Sequence, residues 1–454
     1  ELQMDSLACG LVRTHCSDSV ITDSAPAATA YATGFKSQTG YIGVHPAKAT
    51  LPGAESLNGK NSDGIPVANV MEAARLKGLS TGIVSTCEFM HATPAGFSAH
   101  YPDRNNYNML SEQQIYSGID VVFGGGQKFL KPEERADKED MEKIIKELGY
   151  EYVTTPEQMK NTSASKVFGL FAPAALAHEI DRVHDKEPSL AEMTQKAIEL
   201  LSRDLDGFIL MVEGSEIDWA AHANDPVGLV SDILSFNEAV KVALNFAKKD
   251  GKTAILIMTD HGNGGITIGN RELSQGYDKS SLDSFLKCLK KAKVSAVGLA
   301  KLIRNDMPDD QIRKIIADNY GIDDLTNTEL AEIRTTLSDN TKKITNVAGQ
   351  ILSKRCNLGW TTNGHTGEDA VLFAYSPGWK PIGTIQNTKI AFIVERYLGL
   401  DLENTSELLF RDATYEFAKQ HAELKIDETL PANPVLKVSK TNKIFEFPAN
   451  KSYI

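Results

Sequence analysis

The run Gly207-Phe-Ile-Leu-Met-Val-Glu213-Gly-Ser-Glu-Ile-Asp218-Trp-Ala-Ala-His222 decides the fold. Its first half is apolar without alternation, the pattern of a strand buried on both faces of a sheet. Its second half sets Asp218 and His222 one helical turn apart, so a helix there puts both on one face. An apolar strand that runs through Gly214 into a helix is the step from which α/β folds are built.

The same texture extends outward in both directions. Apolar strands are predicted at Leu79 to Thr86, Asp120 to Gly126, Lys166 to Phe171 and Thr253 to Asp260. They alternate with helices at Val67 to Lys77, at Ser189 to Asp204 behind a Ser189/Glu192 capping box, and at Val227 to Asp250. This pattern predicts an α/β protein, three-layer αβα, with a large, mostly parallel central sheet and an inserted helical subdomain. Ligands of such sheets bind at the carboxyl ends of strands, and two strands end in acids, Glu213 and Asp260. Gly124 to Gly126 lacks a Lys-Ser/Thr partner and reads as a plain turn rather than a phosphate cradle.

From Glu272 to Asn346 the chain becomes Lys- and Asp-rich, with helical patterns at Leu282 to Lys293, Gln311 to Asn319 and Thr328 to Leu337. The expected organisation is therefore a first core part over 1–271, a helical insert over 272–346 and a second core part with a tail over 347–454. Val371 to Tyr375 and a helix at Ile390 to Leu398 resume the core, and the tail after Leu424 ends in an edge strand around Phe445-Glu-Phe.

At 454 residues the chain can bury a large core, and 41% hydrophobic with 24% charged residues is the composition of a folded protein. A formal charge of -12 argues against a general nucleic-acid binder, because phosphate backbones are held by excess Lys and Arg. An anionic ligand must instead be drawn by a local field from metal ions or arginine. Cys9, Cys16, Cys87, Cys288 and Cys356 contain no Cys-x-x-Cys pair, which excludes a thiolate zinc site. A Cys9–Cys16 bridge and free thiols both stay open. No apolar run approaches the roughly 18 residues of a membrane span. The chain opens at Glu1 without an initiator Met, which points to an N-terminal piece removed or left out, with any targeting information it carried.

Four fragments carry chemistry. Thr22-Asp-Ser-Ala-Pro-Ala-Ala-Thr-Ala-Tyr-Ala-Thr-Gly34 sets Asp23 and Ser24 at the start of a small-residue helix, where unpaired amides attract anions. Ser24 is there either a cap or a nucleophile. Asp218 and His222 form either a surface pair or a metal-ligand pair. Thr259-Asp-His-Gly-Asn puts Asp260 and His261 together at a strand end, and Thr362-Asn-Gly-His-Thr-Gly-Glu puts His365 in a glycine-flanked loop. Together these three His-bearing fragments match the oxygen and nitrogen preferences of zinc.

These fragments, with His91-Ala-Thr-Pro-Ala-Gly and Arg104 between them, resemble the alkaline phosphatases in five ordered motifs. The resemblance implies hydrolysis of phosphate monoesters through a phosphoserine at Ser24, with Asp23 beside it and Arg104 clamping the phosphate oxygens. It implies two zinc ions, one on Asp218, His222 and His365 and one on Asp260 and His261, and a magnesium ion at Thr93 and Glu213. It also implies a homodimer, a periplasmic or secreted location, and an insert that either roofs the site or extends the dimer interface. A related two-metal phosphodiesterase and a non-catalytic metal or phosphate binder are the competing readings.

Two departures from the family pattern matter. His91 and Trp219 stand where some members carry Asp and Lys, and both are expected around the magnesium and the phosphate, tuning metal affinity and phosphate release. The family also has an N-terminal strand ending in Asp-Gly, whose Asp bridges the second zinc and the magnesium. Asp5 and Asp18 neither follow an apolar run nor precede Gly, so the expectation is that no such strand precedes Ser24 and that the sequence begins downstream of it.

Overall fold

The computed structural model describes residues 1–54, 63–339 and 343–451. Residues 55–62 lie outside the described residues, as do 340–342 within the 272–346 insert and 452–454.

Strands β1 (Ala8–Arg13), β2 (Ser80–Glu88), β3 (Val121–Gly125), β4 (Glu151–Val153), β5 (Val167–Leu170), β6 (Phe208–Glu213), β7 (Ile255–Ile257), β8 (Ala370–Tyr375) and β9 (Gly383–Gln386) form the sheets of the core. The main sheet has the order β4-β5-β3-β2-β6 and every pairing in it is parallel. Its strands alternate between two apolar layers. Ile83, Val122 and Phe168 enter one cluster, whereas Val84, Val121, Phe123 and Val167 enter the other. Both faces are therefore covered, which is why these segments read as continuous apolar runs.

Six helices matter for the site: α1 (Ser24–Thr33), α2 (Val70–Leu76), α3 (Leu190–Leu201), α4 (Glu216–His222), α5 (Pro226–Asp250) and α6 (Lys389–Leu398). α3 starts at the expected Ser189/Glu192 capping box and buries Leu190, Met193, Ala197, Leu200 and Leu201 against one face of the sheet. That spacing is one stripe of a 3.6-residue period.

The expected mostly parallel central sheet is thus present, and beside it lies a second sheet with the order β9-β1-β8-β7. In it β8 runs antiparallel to both β1 and β7, whereas β1 and β9 are parallel. A strand does precede Ser24, but it ends in Arg13-Thr14-His15 and carries no Asp-Gly. β1 passes so close to β9 that a Cβ on Gly10 would lie 2.0 Å from the Gly383 carbonyl oxygen, so only glycine fits there.

β6 pairs with β2 alone and β7 with β8 alone among the described residues, so each keeps an open edge. Phe236 of α5 joins Leu210 and Val212 in one apolar cluster and Ile257 in another, spanning the two edges from below. All six residues of β6 remain half-buried, unlike the fully buried β3 and β5.

Helices at 283–289, 296–302, 309–320, 327–338 and 344–355 pack around a separate apolar core that includes Ile312, Ile316, Tyr320, Ile333 and Leu352. Polar tethers join this unit to the sheet domain. The Ala296 amide donates to Asp225 at 2.7 Å, and Asn346 Nδ2 donates to the His222 carbonyl at 2.8 Å. The tail forms an antiparallel three-stranded sheet of 423–427, 435–440 and 443–448, whose last strand, containing Phe445 and Phe447, is an edge. All five cysteines are free, so Cys9 and Cys16 form no bridge. Among the described residues no helix is long and apolar enough to cross a membrane.

Candidate active site

α1 is built from small residues because it must lie deep in the molecule. All ten of its residues are buried, and a Cβ on Gly96 of the neighbouring 92–96 helix would lie 2.6 Å from Ala28 Cβ. Asp23 occupies the N-cap position but makes no side-chain cap. Its carboxylate accepts instead from the Gly40 amide at 2.9 Å and from Arg104 Nη1. Ser24, the first helical residue, does not cap either, because its hydroxyl lies 2.9 Å from His261 Nε2. The first-turn amides of α1 are thus free of side-chain caps, in the place where an anion is best held.

Three imidazoles converge on this point. His222 Nδ1 meets the Asn363 carbonyl at 2.6 Å, His365 Nδ1 the Thr22 carbonyl at 2.8 Å, and His261 Nδ1 the Gly262 carbonyl at 3.2 Å. A carbonyl only accepts, so each Nδ1 carries a proton and each Nε2 faces inward. The rings of His261 and His365 stack with centroids 3.6 Å apart, and the Nε2 atoms of His222 and His365 lie 3.2 Å apart. Two neutral rings so arranged aim lone pairs at each other, a repulsion that a proton on His222 or a bound cation relieves.

Asp218 completes that group, with Oδ2 3.4 Å from His222 Nε2 and Oδ1 3.9 Å from His365 Nε2. Donor atoms of Asp218, His222 and His365 lie within 4.8 Å of one another. Two imidazole nitrogens and one carboxylate fit zinc with an open fourth position. Asn263, which sequence reasoning passed over although it sits in the Asp-His-Gly-Asn fragment, fixes this acid by donating from Nδ2 to Asp218 Oδ1 at 2.6 Å.

Asp260 and Ser24 both approach the same nitrogen of His261. Asp260 Oδ2 lies 3.1 Å from Nε2, which also contacts Ser24 Oγ. A Ser-His-Asp relay needs the acid on the opposite ring nitrogen, so this arrangement is no such relay. It is a set of oxygen and nitrogen donor atoms gathered round a common point.

The charges agree. Burial opposes ionisation of Asp260, but the His261 charge and hydrogen bond outweigh it and bring the carboxyl down to about 2. Burial likewise pulls His261 toward neutrality, and Asp260 overcomes it, pushing the imidazole up to about 9. Asp218 is lowered: burial acts against this and the His222 hydrogen bond prevails. His365 is lowered by burial and by the His261 charge.

Glu213, at the carboxyl end of β6, is pushed up to about 7, chiefly by burial; hydrogen bonds from Ser215, Thr93 and Cys87 pull the other way, while the Asp260 charge adds to the rise. Cys87 Sγ donates to Glu213 Oε2 at 3.4 Å. A buried carboxyl whose ionisation is delayed to about 7 for want of a counter-charge, beside a Thr hydroxyl, fits an oxygen-seeking divalent ion. Cys87 and Ser215 are contacts that sequence reasoning missed, since nothing local distinguishes them.

Arg104 Nη2 donates to His91 Nε2 at 3.3 Å, and the His91 ring meets Trp219 edge-on at 5.5 Å. Burial first, then the Arg104 charge, bring His91 down to about 4, so it is neutral. Its Nδ1 is buried without a hydrogen-bond partner. Ser24, Asp23, Arg104, His91 and Trp219 thus form one side of the site, and the three inward-facing histidines with Asp218 and Asp260 the other.

The model of the family described as alkaline phosphatase matches residues 1–400. The chain belongs to the alkaline phosphatase family. Alkaline phosphatase 4 of Bacillus subtilis is 36% identical over 406 residues, covering 87% of this chain and 81% of its own length. Among solved structures, the cold-active alkaline phosphatase of a psychrophilic Shewanella species is 30% identical with a TM-score of 0.73, covering 87% of this chain and 92% of its own. A mutant alkaline phosphatase from the Antarctic bacterium TAB5, solved with Mg bound in its M3 site, is 26% identical with a TM-score of 0.59, covering 87% of this chain and 89% of its own. Within the family this chain is an enzyme that hydrolyses phosphate monoesters.

Proposed function

We propose that Ser24 is the nucleophile of this hydrolysis and that the phosphoryl group passes through a phosphoserine at that position. The observation that carries the reading is the position of Ser24 Oγ, at the start of α1 and 2.9 Å from His261 Nε2. Asp218, His222 and His365 hold one zinc ion, Asp260 and His261 a second, and Glu213 with Thr93 a magnesium ion. The Mg-bound TAB5 structure supports a magnesium position in this fold. When bound, these ions supply the positive charge that makes a serine hydroxyl nucleophilic and stabilises a leaving oxygen.

The chain's own residues do the rest. Ser24 Oγ forms the new ester bond to phosphorus as the alcohol leaves, and a water later cleaves that ester and frees Oγ. The first-turn amides of α1 and Arg104 bind the phosphate oxygens. Asp23 keeps the Arg104 fork beside Ser24, and neutral His91 accepts from its other nitrogen without competing for the anion. Every one of these contacts is to the phosphate, which supports monoesters of varied alcohols as substrates. A homodimer and a periplasmic or secreted location complete the reading.

Acid quenching during turnover of a chromogenic phosphate monoester, followed by peptide mass spectrometry, tests the proposal: phosphate is expected on Ser24. Phosphate absent from Ser24, or faster cleavage of the matching diester, sinks it. Arg104→Lys keeps the charge but loses the planar fork, so kcat/KM is expected to fall about tenfold to a hundredfold, roughly 1.4–2.8 kcal/mol.

Zinc affinity should follow pH with a definite sign. Without metal His261 carries a proton up to about pH 9. A ligating imidazole must be neutral, so below that value the zinc held by Asp260 and His261 displaces a proton and its affinity rises about tenfold per pH unit; above it the curve flattens. Chelator competition across this range checks the slope, and a pH-independent affinity removes His261 from the ligand set.

A further inference from the structure

Behind α4, on the side away from the ligands, lies a buried contact that the reaction does not use. His178 Nδ1 sits between two carboxylates, 2.6 Å from Asp232 Oδ2 and 3.4 Å from Glu216 Oε2. All three residues are almost fully buried, at 3%, 6% and 4% exposure. A carboxylate only accepts, so Nδ1–H is donated to Asp232, and the same edge of the ring faces Glu216 as an ion-pair contact. Asp232 is itself anchored, since its other oxygen accepts from the Glu179 amide at 2.7 Å.

Glu216 is the first residue of α4, the helix that carries Asp218 and His222. Nothing caps this helix from its own side chains, and Ser215 makes no cap. Its start is held from outside: the Ser215 and Glu216 amides donate to Thr86 Oγ1 at 2.9 and 3.3 Å, and the Glu216 side chain reaches His178. Among the described residues Glu216 Oε1 has no hydrogen-bond partner, and His178 is the positively charged group that faces this side chain, at 3.4 Å. His178 in turn precedes Asp181, which accepts from the amide of Ser295 at 3.0 Å at the edge of the helical insert.

We infer that His178, braced by Asp232, is a positioning residue that clamps the first turn of α4 through Glu216 and so fixes the direction in which Asp218 and His222 point. A seven-residue helix has too few internal hydrogen bonds to hold its own orientation. Two ligands one turn apart diverge if its first turn rotates. The strut acts on metal geometry without touching metal or substrate, and it rests on the proposed zinc site of Asp218, His222 and His365.

The decisive variant is Glu216→Met, which keeps the volume and removes the carboxyl that faces His178. Removing one member of a buried polar cluster destabilises, but His178 keeps Asp232 at 2.6 Å as its partner, so the melting temperature is expected to fall by only a few degrees. Zinc affinity by competition with a chromogenic chelator is nevertheless expected to drop about tenfold to a hundredfold, the usual cost of losing a residue that orients a ligand. In metal-free protein, amides of 216–222 should exchange hydrogen about tenfold faster while those of β6 do not change. His178→Ala is expected to give the same two changes, and His178→Asn, whose amide nitrogen falls near Nδ1, to reverse them.

Unchanged exchange across 216–222 in Glu216→Met overturns the inference, whatever the zinc result. A parent protein that binds no zinc overturns the site reading instead, and exchange still decides the strut. Loss of zinc affinity only in proportion to lost melting temperature assigns the cluster to bulk stability and likewise overturns it.

Discussion

Ser24→Ala is expected to lower kcat for a phosphate monoester by about 10⁴-fold, roughly 5.5 kcal/mol of transition-state stabilisation. The loss is large because in the proposed reaction this hydroxyl is the group to which phosphorus becomes bonded, and among the described residues no second hydroxyl is placed against His261 Nε2. The fold should survive. Ser24 makes no cap, and alanine is the best helix former at the position it occupies. Circular dichroism and melting temperature of the variant are therefore expected to match the parent while turnover collapses. Activity within tenfold of the parent in metal-loaded Ser24→Ala protein would move the nucleophile elsewhere.

Removal of divalent ions is expected to have the next largest effect, about 10³-fold or more on kcat/KM, because each ion stabilises transition-state charge by several kcal/mol. The metal-free site is electrostatically frustrated. His222 and His365 point Nε2 atoms at each other across 3.2 Å, and Glu213 is pushed up to about 7, chiefly by burial. Dialysis against a chelator should abolish turnover and zinc should restore it; magnesium alone should not, since the nitrogen-rich group at Asp218, His222 and His365 suits zinc. His365→Ala should reproduce the stripped state permanently, with zinc content reduced by elemental analysis. Full turnover with far less than one zinc per chain would refute the two-zinc reading.

Much of the main sheet was legible because its strands are buried on both faces. Phe208–Glu213 is an apolar run ended by glycine in the sequence and a strand of that extent in the structure. β1 was not legible. Leu11 and Val12 are its only large aliphatic residues, and it exists because Gly10 lets β9 approach and Leu372 pairs beside it. That information is stored more than 350 residues away. The reversed direction of β8 was equally invisible, since a buried strand has the same composition whichever way it runs.

The site divides along the same line. Asp260 and His261, adjacent in sequence, announce themselves as a pair. Ser24 does not, because cap and nucleophile have the same local signature, and what separates them is a contact to His261 at a sequence separation of 237. His178 and Glu216 had no signal at all: an imidazole in a loop and an acid at a helix start acquire meaning only by meeting in the interior.

The open edges of β6 and β7 bear on the metal site as well as on the sheet. Phe236 lies beneath both, and Glu213 and Asp260, at their carboxyl ends, sense each other's charge. An extended segment entering between these edges and running parallel to β6 would satisfy two rows of backbone groups at once. Its last residue would then emerge between Glu213 and Asp260. The resemblance to the family implies such a strand ending in Asp-Gly, and its Asp would stand beside the residues proposed to hold magnesium and the second zinc, so strand pairing and metal assembly would become a single cooperative event.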